Sequence, residues 1–153
     1  MKARKIALTV ALCLAAVALC YASDTVMGTW KLNEAQSKFS PGATKTTTVI
    51  YAPDGDQTKV TTIGTDADGK PFQDEWVGKL DGKEYPFTGD PSKTRAYKKI
   101  NDHTMEITNK KDGKVVSSGR AVVSADGKTR TVNINWTNSE GKKMSFTAVY
   151  DKQ

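Results

Sequence analysis

Short turn signals punctuate this chain from residue 54 onward and limit what it can fold into. Asp-Gly recurs at 54–55, 68–69, 81–82, 112–113 and 126–127, and Glu140-Gly141 continues the series. Glycine takes a positive φ without a Cβ clash and aspartate tolerates the left-handed region, so each pair suits the tight turn of a hairpin. The segments between the turns are rich in Thr, Val, Ile, Tyr, Phe and Trp. Strands joined by closely spaced hairpin signals describe an antiparallel all-β protein. The spacing predicts strands at about 28–32, 44–52, 58–66, 71–79, 83–89, 93–100, 104–111, 114–124, 128–137 and 142–151. Only 33–42, "NEAQSKFSPG", reads differently, as a short helical turn or a loop closed by Pro41-Gly42.

One of the turns also resembles a calcium loop. In "TDADGKPF" (65–72), Asp66, Asp68, Gly69 and Glu75 fall at the third, fifth, sixth and twelfth positions of an EF-hand loop. Gly64 occupies the place of the first ligand, and the flanking Phe72, Trp76 and Leu80 follow a strand pattern rather than an amphipathic helix. A hairpin is expected there, and no metal.

Alternation assigns faces to several strands. Val132, Ile134 and Trp136 share one side of theirs, with Thr131, Asn133 and Asn135 on the other. Met144, Phe146, Ala148 and Tyr150 line one side of the last strand, and Phe72, Asp74, Trp76 and Leu80 one side of the fourth. A period of two with one polar face fits a sheet packed on a single side. The segment 44–51 is mostly threonine, and 114–123 has valines on both faces, so neither assigns itself. About ten hairpin-linked strands must dispose of their edges. Closure into a single antiparallel up-and-down barrel does this most completely, and a two-sheet sandwich is the alternative. Pro86 cannot donate to a ladder, so 83–89 is expected at the weakest seam.

The N-terminus is expected to be a secretory signal over residues 1–22. Lys2, Arg4 and Lys5 precede the apolar stretch 6–19, which is too short to span a bilayer, and Ala22 stands before Ser23. A lipoprotein cut before Cys20 would need a small residue where Leu19 stands. Cleavage after Ala22 leaves one domain, 23–153, without cysteine, because Cys13 and Cys20 both lie in the signal. It also removes three of 23 basic residues, so 20 against 17 acidic ones leave +3 of the formal +6. The remaining lysines are dispersed singly or in pairs along the chain rather than gathered in a stripe, which argues against nucleic acid.

The stretch "GTWKL" (28–32) resembles the opening signature of the calycins, the lipocalins and intracellular fatty-acid-binding proteins. "FTAVYDKQ" (146–153) is similar to the terminal strand of the fatty-acid binders, and the whole strand pattern resembles small secreted lipocalin-like proteins of bacteria. The resemblance implies a barrel whose floor is closed by the Gly-x-Trp motif and whose interior takes small hydrophobic ligands. The two-helix lid of the fatty-acid binders has no counterpart beyond 33–42. Tyr150 matches the tyrosine of their Arg-x-Tyr carboxylate clamp, but Ala148 stands at its arginine. The lipocalins' helix after the eighth strand is also missing.

Catalytic constellations are sparse. His103, the single histidine, lies in the predicted turn "NDHT", and Asp74 and Glu75 are adjacent on a strand, so they point to opposite faces. The sequence Asn135-Trp136-Thr137 matches a glycosylation acceptor but falls on a predicted strand. Aromatic residues exceed what a floor plug needs and either fill a solid core or line a cavity. Arg95 shares parity with Tyr97, Arg120 with Val116 and Val122, and Arg130 with Val132 and Ile134. An inward arginine could take a ligand carboxylate, whereas one near a turn snorkels outward.

These readings converge on a secreted or periplasmic monomer that binds a small, largely hydrophobic ligand in its barrel. It is not expected to be an enzyme, to hold a cofactor, to bind nucleic acid or to insert stably in a membrane after signal cleavage. The expected ligand-binding residues are Trp76, Tyr97, Trp136, Arg95, Arg120 and Tyr150. The alternative is a protein-binding or inhibitory module acting through loops or an edge strand.

Overall fold

The structure, a computed structural model, describes residues 24–153; the expected signal segment lies outside them. The strands are β1 (Gly28–Leu32), β2 (Lys38–Phe39), β3 (Lys45–Asp54), β4 (Gln57–Thr65), β5 (Pro71–Gly78) and β6 (Asp81–Phe87). They continue as β7 (Asp90–Lys99), β8 (Thr104–Lys111), β9 (Lys114–Val123), β10 (Thr129–Thr137) and β11 (Lys143–Lys152). From β3 to β11 each strand pairs antiparallel with the next in sequence, and β1 pairs with both β3 and β11. The pairs Trp30↔Lys152, Lys31↔Asp151 and Leu32↔Tyr150 close the sheet on itself. Closure satisfies the backbone groups that terminal strands of an open sheet would expose.

The Asp-Gly pairs at 54–55, 68–69, 112–113 and 126–127 fall at hairpin turns as expected, whereas Asp81-Gly82 lies at the start of β6, beside a register shift. Between β8 and β9 both turn residues take positive φ, Asp112 at 49° and Gly113 at 75°, the combination whose twist matches the flanking strands. In the calcium-like loop the Asp66 carboxylate accepts hydrogen bonds from the Asp68 and Lys70 backbone N–H groups, each at 2.9 Å. Its oxygens shape a hairpin.

The segment after β1 stays against the barrel. A single 3-10 turn, Glu34–Gln36, is capped by the Asn33 side chain. Asn33 N–H donates to the Val149 carbonyl at 2.8 Å, and Val149 N–H donates to Ser37 Oγ at 2.9 Å. The short β2 then resumes pairing with β11, Phe39 opposite Phe146. The chain thus runs along β11 from the floor to the opposite end before crossing to β3.

The two ends of the barrel differ. At the floor Trp30 is fully buried and its indole N–H donates to the Val26 carbonyl at 2.8 Å. The Lys152 ammonium lies 5.1 Å from its ring centre; the burial of Trp30 at the floor is what the Gly-x-Trp resemblance implied. The weakest seam lies where Pro86 predicted it. β5 and β6 share only the register pair Trp76↔Phe87, supplemented by Thr88 N–H to the Glu75 carbonyl at 2.9 Å.

Candidate functional site

Above the floor the barrel is hollow. A cavity of about 440 Å³ opens toward the end formed by β2, the 40–44 segment and the β8–β9 hairpin. Its apolar wall comes from Val49, Ile107, Val132, Ile134, Trp136 and Phe146. Trp136 and Phe146 pack with centroids 6.0 Å apart, and Phe39 adds a third ring 5.4 Å from Phe146. Gly42, Ala43 and Thr44 cross the mouth and contribute to its lining.

The polar side is strongly basic. Lys93, Arg95, Lys110, Lys111 and Arg130 line the cavity, with Asp74 as the one acidic lining residue. Lys93 and Lys110 are paired at the rim, with Asp90 and Glu84. Arg95 Nε donates to Asn109 Oδ1 at 2.5 Å and Nη1 to the Tyr97 hydroxyl at 3.0 Å. Asn109 is itself held by Ser117 Oγ at 2.8 Å. The Arg95 guanidinium also lies 4.8 Å from the centre of the Phe87 ring.

Arg130 is deeper, 2% exposed. Its Nη2 donates to the Tyr51 hydroxyl at 2.7 Å, and the guanidinium lies against the rings of Tyr51 and Tyr150 at 5.1 and 5.7 Å. Its Nε–H is buried without any partner. Among the described residues no ion pair includes Arg95 or Arg130.

Burial governs the tyrosines around them. Desolvation pushes the Tyr150 hydroxyl from its ordinary 10.0 up to about 12, despite the opposing field of Arg130. Tyr51 is likewise held well above its ordinary value, chiefly by desolvation and again against Arg130. The folded state therefore keeps these protons longer than the unfolded chain does. For Tyr150 the contribution to stability is complete below about pH 10 and is lost as pH rises through about 12, and that of Tyr51 is lost in the same direction, as pH rises. In an alkaline titration the Tyr51 and Tyr150 phenolate absorbance should appear together with loss of the barrel's circular dichroism. Phenolates from both residues in a still-folded protein would contradict this placement.

The expected ligand-binding residues divide into three groups. Tyr97, Trp136, Arg95 and Tyr150 line the cavity. Trp76 faces inward but is fully buried beneath it. Its indole N–H lies 3.1 Å from the carbonyls of both Tyr85 and Arg95, and its ring packs edge-on to Tyr97 at 4.9 Å. Arg120 corrects its expected inward placement. It lies on the outer face, 3.0 Å from Glu106, beside Val122, which is 41% exposed. The inward face of β9 carries Ser117, Gly119, Ala121 and Val123 instead, and the Asn133 carbonyl and Ile134 leave no room for a side chain at 119. A Cβ there would sit 1.9 Å from the Asn133 carbonyl oxygen and 2.8 Å from Ile134 Cδ1.

Arg130 was visible in the sequence through its parity with Val132 and Ile134 but was left out of the expected set. Tyr51 was not singled out, because it follows the threonine-rich run. Asp74 faces the cavity, whereas Glu75 points outward to Lys59 at 3.0 Å. His103 belongs to the floor turn between β7 and β8, away from the cavity lining. Among the described residues no three His, Cys, Asp or Glu side chains gather as a metal site would require.

Strand order decides the architecture: ten strands follow in sequence around the barrel and the first closes on the last. This is a closed, antiparallel up-and-down β-barrel. No protein-family model matches the chain, and no curated protein matches it. Similar solved structures include lobster apocrustacyanin A1, at 12% identity and a TM-score of 0.37, covering 86% of this chain and 62% of that one. Apocrustacyanin C1 is similar at 14% identity and a TM-score of 0.39, covering 85% of this chain and 62% of that one. The chain spans less than two thirds of the length of either.

Proposed function

We propose that the protein is an exported binding protein that carries a small, largely hydrophobic ligand inside its barrel, without a cofactor and without chemistry of its own. The cavity carries this reading. Its volume of about 440 Å³ lies within the range of about 300–1,000 Å³ common to small-molecule sites. Its wall joins aliphatic and aromatic surface to a few fixed polar groups, so burial supplies affinity and the polar groups orient the ligand. The alternative of a partner strand added at an edge is disfavoured by the β1–β11 pairing, which occupies the terminal strands. Export rests on the basic-then-apolar leader ending at Ala22. Among the described residues no helix is long and apolar enough to cross a membrane.

Native mass spectrometry of the protein isolated from its own source tests both parts. The expected mass is that of a chain beginning at Ser23 plus one retained small molecule, released on denaturation. A bound protein in place of the small molecule would move the function to the loops. A chain beginning at Met1 would remove the export reading.

A further inference from the structure

Four aromatic rings form a continuous path from the barrel interior to the surface. Ring centroids lie 6.0 Å apart for Tyr51 and Tyr97, 4.9 Å for Tyr97 and Trp76, and 5.7 Å for Trp76 and Tyr85. Tyr97 lines the cavity, Trp76 is fully buried and Tyr85 is half-buried on β6. The Tyr85 hydroxyl donates to Asp81 Oδ2 at 3.2 Å in an exposed contact. Gly78 makes room for the last ring contact, because a Cβ there would sit 2.5 Å from Tyr85 Cγ and 2.7 Å from Trp76 Cζ2. The four tyrosines among the described residues differ in where a phenolic proton could go. Tyr51 and Tyr97 accept hydrogen bonds from the Arg130 and Arg95 guanidiniums, and Tyr150 donates to the Thr46 carbonyl at 3.1 Å. Tyr85 alone donates to a carboxylate.

We infer that Trp76 and Tyr85 are an outlet for oxidising equivalents: the electron vacancy left by a one-electron oxidant in the cavity travels through Trp76 to Tyr85, which is the site of oxidative modification. The oxidant is a quinone or another one-electron acceptor resting against Tyr97. It takes one electron and becomes its radical anion. A vacancy on Tyr97 is disfavoured by the Arg95 cation 5.4 Å from its ring centre. On Trp76 the indole N–H faces only the Tyr85 and Arg95 carbonyls, which are too weakly basic to take its proton. On Tyr85 the phenolic proton passes to Asp81 as the electron leaves. The Lys83 backbone N–H holds the Asp81 carboxyl below the usual carboxylate range, yet an oxidised phenol is a far stronger acid and still yields its proton. One electron and one proton have then moved. The products are the reduced acceptor, the neutral Tyr85 phenoxyl radical and protonated Asp81. The outlet needs the hollow barrel of the carrier reading but no particular ligand.

The test uses menadione, an apolar quinone that becomes a one-electron oxidant when excited by light. It is first titrated in the dark, where saturable quenching of tryptophan emission reports binding in the cavity. A laser flash in the presence of a nitroso spin trap should then give a tyrosyl adduct that peptide mass spectrometry places on Tyr85. Trp76→Phe keeps an aromatic filler but not the readily oxidised indole, so most of the Tyr85 adduct should be lost while menadione still binds. The bulky tris-bipyridyl ruthenium cation with persulfate, which reaches Tyr85 from solvent, should label both proteins alike. Asp81→Asn, a surface change that serves if the Trp76 variant fails to fold, should leave the vacancy on Trp76 and lengthen the life of the indole radical. Adducts on Tyr97 or Tyr51 in the wild type, or a Trp76→Phe variant labelled from the cavity as well as the wild type, overturn the outlet and leave the carrier reading standing. An indole radical unchanged in Asp81→Asn also overturns it. Absence of saturable menadione binding overturns both.

Discussion

Trp76→Ala is expected to cost about 3–5 kcal/mol of unfolding free energy, the range for deleting a large aromatic side chain from a packed core. The indole is fully buried, and its N–H serves two carbonyls on different strands, Tyr85 of β6 and Arg95 of β7. Its ring is flanked edge-on by Tyr85 at 5.7 Å and Tyr97 at 4.9 Å. It also sits in the only register pair that joins β5 to β6. Truncation therefore opens a void, orphans two acceptors and weakens the one seam with little ladder to spare. Because Trp76 lies beneath the cavity lining, the variant's folded fraction should still bind ligand. Urea unfolding of the purified variant measures the loss. A change below about 1 kcal/mol, within the range of an ordinary surface substitution, would mean the seam is held by something else.

How much of this architecture could be read in the sequence depended on whether side-chain size and side-chain face agreed. They agreed on β10 and β11, where Val132, Ile134, Phe146 and Tyr150 are both large and inward, so alternation placed them. The Asp-Gly turns were legible for a local reason, since the backbone conformation they need is costly for most other residues. On β9 size and face disagreed. Crowding by the Asn133 carbonyl and Ile134 forces glycine at 119, while Val115 and Val122 stand outside. A hydrophobicity pattern then points to the wrong face, which is why Arg120 was expected inward. A register shift opposite Asn109 and Lys110 breaks the period on the same strand.

β3 hid its inward residues in a similar way. A register shift between Thr46 and Thr48 interrupts the alternation before Val49 and Tyr51, and the threonines around it fit either face. The pairing of Arg130 with Tyr51 spans 79 positions in the chain. It exists only because closure brings β3 and β10 to facing parts of the same interior, and no local pattern encodes such a contact. The Trp76 side chain was correctly expected inward, but its depth below the cavity follows from barrel closure and the short floor turns rather than from parity.

The claim that most needs testing is that the barrel is hollow and that its hollow is the binding site. Val132 is 6% exposed and lines the middle of the cavity wall, so Val132→Trp directs an indole into the space a ligand would take. Overpacking of this kind costs about 1–3 kcal/mol where no room exists and less where a cavity accepts the ring. The wild type should bind an apolar fluorophore saturably and with quenching of tryptophan emission, because Trp136 lines the same wall. The decisive measurement is a fluorophore titration of Val132→Trp, with circular dichroism confirming that the variant keeps its strand spectrum. Loss of saturable binding in a folded variant is the result predicted. Binding by the folded variant with the wild-type affinity would place the ligand outside the barrel and contradict the account.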